Sequence, residues 1–449
     1  MKKLFGTDGV RGLANVWPMT PEIAMALGQA IADYFQHQHS TRRIIIGKDT
    51  RRSSYMLEQA MAAGICSMGS TAIFTGPLPT PGVAFLTKAM RADAGVMISA
   101  SHNCFEDNGI KFFDPNGFKL SDEIQTQIEQ FVALKMEGVE RPTGDKIGNA
   151  YRIDDAQGRY IEFVKRAFAK DLTLEGLKIV IDCAHGAAYK LAPKILWELG
   201  AEVLPIGVNP NGTNINKERG ATAPQTMQRY VKQQGAHLGI ALDGDADRVV
   251  MCDEDGELID GDKVIALCAL SMKSEGLLAN NAVVGTIMTN LGVENFLKEQ
   301  GIKLHRTAVG DRYIIEKMRE LQICLGGEPS GHVIFSRHTT TGDGLVAALQ
   351  VLACVVRNKV KLSELVRKIP HYPQVSASIH VKQKPPLAES QPIQAALIEI
   401  ENRLAGKGRT VVRYSGTEPV LRLMIEGQDQ TLIQNELEKL QLVVEKQLG

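Results

Sequence analysis

The sequence predicts a chain of several α/β domains that closes in an α+β domain. Three observations carry that expectation. Apolar runs of strand length alternate with amphipathic helical stretches along most of the chain. The 449 residues are enough for roughly three or four domains of ordinary size. After Pro370-His371-Tyr372-Pro373, which reads as a linker, the pattern changes. Val375, Ala377, Ile379 and Val381 alternate as in a half-buried strand, and the chain ends in a helix from about Leu432.

Composition narrows the class. The hydrophobic share of 44% and charged share of 23% are those of an ordinary globular protein with ample core. Lys+Arg and Asp+Glu both number 51, a balance that argues against general binding to nucleic acid or an anionic membrane. The seven cysteines are scattered, with no Cys-x-x-Cys, as expected of reduced thiols rather than disulfides or zinc ligands. No apolar signal core follows Met1-Lys2-Lys3 and no long apolar run follows elsewhere, so a cytoplasmic protein is expected.

In chain order, Phe5-Gly6-Thr7-Asp8-Gly9-Val10-Arg11-Gly12 is a glycine-rich turn with one cation, Arg11, able to fork onto an oxyanion. Thr20-Pro21 opens a helix with Ile23, Leu27 and Ile31 at helical spacing. Arg43 to Gly47 reads as a buried strand ending in the polar, basic stretch Lys48 to Ser54. A helix, the strand Thr71–Phe74 and a Pro-rich loop follow. The apolar run Ala94 to Ile98 then leads into Ser99-Ala100-Ser101-His102-Asn103. A hydroxyl, an imidazole and an amide therefore stand at the end of a strand, where α/β sheets place their ligands. Asn108-Gly109 is a hairpin signal before the strand Ile110–Phe113, within which Lys111 sits between apolar neighbours. If Lys111 faces Ser101, desolvation and nearby charge make it a candidate proton donor and acceptor.

A second β-α-β unit runs from the strand Leu177–Asp182 to the strand Ala201–Leu204, followed by a long polar loop from Asn209 to Gly220. The strand His237–Leu242 then runs into Asp243-Gly244-Asp245-Ala246-Asp247-Arg248. Three carboxylates at alternate positions, separated by Gly and Ala, can turn inward around one hard cation. An EF-hand is excluded, because Arg248 stands where that loop needs glycine and the flanks are strands. So few carboxylates with open positions suit Mg²⁺ that also holds a phosphate oxygen, with Arg248 facing the same anion. Further on, Val309-Gly310-Asp311-Arg312 opens a helix. Glu328-Pro329-Ser330-Gly331-His332 is a polar turn able to accept sugar hydroxyls, and Thr340 to Gly344 caps the next helix. In the last domain Arg413, Ser415, Gly416 and Thr417 form a candidate oxyanion nest.

Taken together, the Ser101 loop, the Asp243 to Arg248 loop, the Glu328 to His332 turn and the Arg413 to Thr417 nest resemble those of the α-D-phosphohexomutase superfamily, over nearly the whole chain. The resemblance implies three successive mixed three-layer α/β domains plus a C-terminal α+β domain around a central cleft, with boundaries expected at 1–148, 155–256, 257–369 and 374–449. It implies that Ser101 is a phosphoserine in the active form and binds Mg²⁺ with Asp243, Asp245 and Asp247. Arg11, His102, Lys111 and Arg248 then surround the transferred phosphoryl group, and His332 is a candidate proton shuttle. Glu328 and Ser330 hold sugar hydroxyls, and Arg413, Ser415, Gly416 and Thr417 hold the phosphate that is not reacting. Asp311 is a candidate partner for a sugar amine, with Arg312 beside it.

The implied reaction interconverts glucosamine 6-phosphate and glucosamine 1-phosphate through a glucosamine 1,6-bisphosphate intermediate, as a step towards UDP-N-acetylglucosamine. A homodimer, and a kinase or self-phosphorylation that first loads Ser101, are expectations from the family. Two positions depart from its pattern. Cys104 stands where Pro is usual after Asn103, which predicts a looser loop, and Pro329 lies inside the sugar turn. The rival readings are a phosphomannomutase or phosphoglucomutase on the same scaffold, a non-catalytic phosphosugar-binding regulator, and a Mg²⁺ phosphatase. The second predicts a lost nucleophile or a broken metal loop, and neither is lost here; the third would more naturally show an Asp nucleophile and an open site, and ranks last.

Overall fold

A computed structural model describes residues 3–6, 8–36, 41–134, 140–415 and 419–449. Its strands form four sheets in chain order. The first has six strands, ordered Val10–Leu13, Asp107–Phe113, Ala94–Ile98, Arg43–Lys48, Thr71–Pro77, Ala150–Arg152. Its centre is parallel, and the strands at Asp107–Phe113 and Val10–Leu13 add antiparallel at one side. Side chains alternate between two cores, as strand period dictates. Ile44, Ile46, Val96 and Ile98 meet Leu27, Ile31, Leu57 and Met61 of the helices Pro21–Gln36 and Arg52–Ser67. Ile45, Ile73 and Met97 meet Val83 and Leu86 of the helix Thr80–Ala89 and Tyr160 and Val164 beyond. Helices therefore cover both faces of this sheet.

One expected turn lies inside a strand. Asn108-Gly109 belongs to Asp107–Phe113 and pairs with Gly12 and Arg11. Asn108 Nδ2 donates to Ser53 Oγ and Ser54 Oγ at 2.8 and 3.0 Å, so its amide nitrogen is satisfied by a neighbouring helix, while Oδ1 accepts from Gly109 N at 2.8 Å. A Cβ on Gly109 would sit 2.6 Å from the Ser99 carbonyl oxygen, so the glycine allows the serine loop to approach closely. The reversal occupies the residues between Ile98 and Asp107, which is the serine loop itself.

The second sheet has five strands, with Leu238–Leu242 parallel to Lys178–Asp182 and antiparallel to Val249–Cys252. Residues 243–248 thus form the turn between two buried strands. The third sheet, with four strands, carries Leu325–Gly327 and Val333–Phe335 around the polar turn. The helix Gly344–Asn358 is apolar nearly all round and shares one core with the first two sheets. Asp343 caps it, Oδ1 accepting from Leu345 N and Val346 N at 3.0 Å, while Oδ2 accepts from Tyr160 Oη at 2.8 Å.

The C-terminal unit is a three-stranded antiparallel sheet, Gln374–His380, Val420–Gly427 and Gly408–Tyr414, backed by the helices Gln391–Leu404 and Gln430–Leu448. Its core is separate, built on Ile393, Ile400, Leu421, Leu423, Ile433 and Leu440. Among the described residues no helix is long and apolar enough to cross a membrane.

Candidate active site

The ends of strands from the first two sheets meet at Ser101. Its backbone is left-handed, with φ of 52°, an uncommon conformation for a residue with a side chain. The side chain is buried, and Oγ donates to Asp243 Oδ2 at 2.6 Å, with His102 Nδ1 at 3.4 Å. The aspartate loop can come this close because residue 244 is glycine; a Cβ there would lie 2.6 Å from the Ser101 carbonyl oxygen. Thr80, at the start of its helix, fixes the loop from the first unit. Its N–H donates to the Asp245 carbonyl at 3.0 Å and its hydroxyl to Asp245 Oδ2 at 2.5 Å.

Asp243, Asp245 and Asp247 are all buried, and one carboxylate oxygen from each lies within 4.8 Å of the others. Asp245 Oδ1 and Asp247 Oδ1 are buried without a hydrogen-bond partner. Oxygen donors clustered in this way, two of them orphaned, fit a hard divalent cation. Burial and the charges of Asp247 and Asp245 push Asp243 well above the usual carboxylate range. Burial also pushes Asp247 up, but Lys111, His332 and Arg248 outweigh it and hold this carboxyl well below that range.

Cations surround the acids. Lys111, fully buried, reaches Asp245 Oδ2 at 2.9 Å, Asp247 Oδ2 at 3.2 Å and Asp8 Oδ2 at 3.3 Å. Burial alone depresses an ammonium, yet these carboxylates raise Lys111 well above its ordinary value, so it is a firmly charged donor here. Asp8 also pairs with Arg11 and Lys119, and Lys119 continues to Asp311. Arg11 and Arg248 each keep a buried Nε without a hydrogen-bond partner, that of Arg248 lying 3.8 Å from Asp247 Oδ1. Burial, reinforced by Arg248 and Arg11, lowers His102 to about 4, so its ring is neutral at ordinary pH. Two guanidiniums, a neutral imidazole and a hydroxyl thus converge, an arrangement suited to an anionic group on Ser101.

The polar turn of the third unit lies beside this centre. Glu328 Oε1 accepts from Gly310 N at 2.9 Å, and Ser330 Oγ donates to Glu328 Oε2 at 3.1 Å. His332 Nε2 accepts from Gly342 N at 3.2 Å, leaving Nδ1 to face Asp247 Oδ2 at 3.8 Å; Asp311 Oδ2 lies 3.6 Å from Nε2. Burial lowers this ring's affinity for protons, but Asp247 and Asp311 outweigh it and raise His332 above its ordinary value. Arg312 is placed differently. It pairs with Asp122 of the first unit and with Glu316 at 3.2 Å, at the join between units, and lines a small pocket with Asp8, Lys111 and Lys119.

Arg413 lies on the strand Gly408–Tyr414 opposite Arg422, lowered by burial and by that neighbour. Ser415 N donates to the Val420 carbonyl at 2.8 Å, and the Ser415 carbonyl accepts from Lys384 Nζ at 2.6 Å. Gly416 and Thr417 lie outside the described residues. Sequence reasoning gave no role to Asp8, Lys119, Thr80, Arg51 or Asn216, all of which bear on the site. Asp8 stands within the same short motif as Arg11, and Arg51 follows a strand parallel to the one that delivers Ser101. Nothing in the polar loop 209–220 singles out Asn216.

The chain matches four family models in order. These are the phosphoglucomutase/phosphomannomutase α/β/α domains I, II and III over residues 2–137, 158–256 and 260–372, and the C-terminal domain over 378–442. It is 54% identical over 449 residues to a phosphoglucosamine mutase of Geobacter sp. (strain M21), covering 100% of this chain and 99% of that one. Its fold is similar to that of a phosphoglucomutase/phosphomannomutase family protein from Burkholderia thailandensis, with TM-score 0.79 at 21% identity over 98% of this chain and 97% of that one. An N-acetylphosphoglucosamine mutase of Aspergillus fumigatus, solved with GlcNAc-6P and magnesium, superposes with TM-score 0.69 at 17% identity, covering 98% and 95%.

Proposed function

The chain belongs to the phosphoglucomutase/phosphomannomutase family, and from that premise we propose that it is an isomerase acting as a phosphoglucosamine mutase. The observation that carries the reading is Ser101. It is a buried hydroxyl on a left-handed turn, bonded to Asp243 of the carboxylate triad and beside His102, whose ring feels Arg11 and Arg248, in a chain similar at full length to such mutases.

In the proposed cycle Ser101 carries a phosphoryl group. O1 of glucosamine 6-phosphate attacks phosphorus, the P–Oγ bond breaks and a P–O1 bond forms, and the O1 proton passes through the site to the freed Ser101 Oγ. His332, between Asp247 and Asp311, is placed to relay it. The glucosamine 1,6-bisphosphate turns over. Ser101 Oγ then attacks the phosphorus on O6, a P–Oγ bond forms as the P–O6 bond breaks, the proton leaving Oγ passes to O6, and glucosamine 1-phosphate leaves. Arg11, Arg248 and the charged Lys111 hold the spread negative charge of the group in flight, which is most of the catalysis in phosphoryl transfer. Glu328 and Ser330 orient sugar hydroxyls, Asp311 is the partner for the 2-amine, and the Arg413–Thr417 nest takes the distal phosphate. Asp243, Asp245, Asp247 and the phosphorylated serine would hold Mg²⁺, which would supply neutralisation of charge on the transferring group. A homodimer, a cytoplasmic location and first phosphorylation by a kinase or by the enzyme itself complete the proposal.

The test is the rate of 1-phosphate formation from glucosamine, glucose and mannose 6-phosphates side by side, with Mg²⁺ and a trace of bisphosphate. A clear kcat/KM preference for glucosamine 6-phosphate and an inactive Ser101→Ala variant are expected. A preference for either other sugar would replace the named substrate, and an active Ser101→Ala would end the reading.

A further inference from the structure

Ser101 is the residue that must keep its Oγ in place through two transfers, and its conformation is one that a side chain resists. A left-handed non-glycine residue is strained and persists only where its surroundings hold it. Two buried groups from different units hold the same pair of carbonyls here. Arg51 Nη2 donates to the Ser101 carbonyl at 3.0 Å and to the Asn103 carbonyl at 2.8 Å. Asn216 Nδ2 donates to the same two oxygens at 2.8 and 2.9 Å. The Arg51 guanidinium is fully buried; Nη1 also binds the carbonyls of Cys104 and, at 3.2 Å, Asp107, and Nε donates to Asp49 Oδ2 at 2.8 Å.

Asn216 is fixed in turn. Its N–H donates to the Ala184 carbonyl at 2.9 Å, its own φ is 59°, and its loop is tied to the first unit by Arg52 N donating to the Gly212 carbonyl at 2.9 Å. Its Oδ1 is buried with no partner, so the amide is held by its donor side alone. With every carbonyl from 101 to 104 except that of His102 gripped, the loop is restrained although Cys104 lacks the stiffness of a proline.

We propose that Arg51 and Asn216 form a two-sided clamp that positions Ser101 for phosphoryl transfer, and that Asn216 makes this geometry depend on the docking of the second unit against the first. Neither side chain touches the reacting atoms; both act through the backbone of the serine loop. The inference rests on Ser101 being the phosphoryl carrier.

Asn216 is the residue to test, since it is uncharged, whereas Arg51→Ala strands the buried Asp49 and endangers folding. Asn216→Ala removes the donors, and Asn216→Asp turns an acceptor towards two carbonyls. The readout is the single-turnover rate of transfer from phosphorylated Ser101 to glucosamine 6-phosphate, per phosphoserine counted by mass spectrometry, with the half-saturating substrate concentration measured alongside. Asn216→Ala is expected to slow transfer roughly 10–100-fold, as a displacement of about 1 Å does, with half-saturation moved less than about threefold and Asp slower than Ala. A transfer rate within about twofold of wild type in Asn216→Ala would overturn the clamp, whatever the change in Tm. So would a loss explained entirely by fewer folded or phosphorylated subunits. An active Ser101→Ala would instead remove the functional reading beneath it, so the two failures are told apart.

Discussion

Three aspartates four residues apart end to end experience opposite electrostatics. Asp243 has Ser101 as its hydrogen-bonding neighbour and is driven up by burial and two acids; Asp247 has Lys111, His332 and Arg248 and is held down. Lys111 carries much of the counter-charge, with its ammonium against Asp245, Asp247 and Asp8. Asp245 is the most committed of the three, since Thr80 and Lys111 share Oδ2 while Oδ1 is left open. Asp245→Asn is therefore expected to lower Mg²⁺ affinity by at least about tenfold, roughly 1.4 kcal/mol, together with activity. Calorimetric titration of the folded variant with Mg²⁺ checks this independently of turnover, and unchanged binding would count against the loop as the metal site.

At the scale of elements, the helix Gly261–Ser274 shows how a buried terminus sets pH dependence. Asp260 caps it by accepting from Lys263 N, and Asp262 in its first turn accepts from Asn290 N at 2.8 Å while its other oxygen is orphaned. Burial, then Asp260 and Glu426, push Asp262 up to about 8 from an ordinary 3.8. A carboxyl raised on folding favours the native state while protonated in both states, and that contribution is lost as pH rises through the folded value. Relative to Asp262→Asn, wild-type stability is expected to fall from about pH 4 and level off above about pH 8, by more than about 1 kcal/mol in total. Urea midpoints of the two proteins across that range check it; a constant difference would contradict the assignment. The strand Asp107–Phe113 gives the complementary lesson. Asn-Gly favours a turn by local preference, but hydrogen bonds to Ser53 and Ser54 and the approach of the Ser99 carbonyl place it in a strand.

Over the whole molecule, one core joins the first three sheets while the C-terminal unit keeps its own. That unit is attached through polar contacts. Asn290 exchanges hydrogen bonds with Tyr372, its Nδ2 donating to the carbonyl at 2.9 Å and its Oδ1 accepting from the N–H at 3.0 Å. Glu426, fully buried, pairs with Arg409 and accepts from Leu291 N at 3.1 Å and Gln374 Nε2 at 2.6 Å, and Arg409 donates onward to the Thr289 carbonyl at 2.7 Å. Arg409→Ala leaves that carboxylate without its cation, a loss of about 3 kcal/mol by analogy with other broken buried pairs. The C-terminal unit of this variant is expected to unfold several degrees before the rest. Scanning calorimetry with hydrogen exchange resolves the two steps; a single unshifted transition would show that the pair does not hold the units together.

The order of elements, the change of architecture after Tyr372, and the residues whose chemistry announces itself locally are written in the chain. Ser101 at a strand end and three alternating aspartates between buried strands are legible because strand period and side-chain type are local properties. How those loops are held depends on packing between distant parts of the chain. Arg51, Asn216, Thr80 and Lys119 act on partners between 50 and 192 positions away in the chain, and no local pattern marks a side chain whose partner is so distant a carbonyl or carboxylate. The same limit placed Arg312 against Asp122, because which charge finds which depends on how the units pack, and packing is settled by burial of a core shared among residues far apart in sequence.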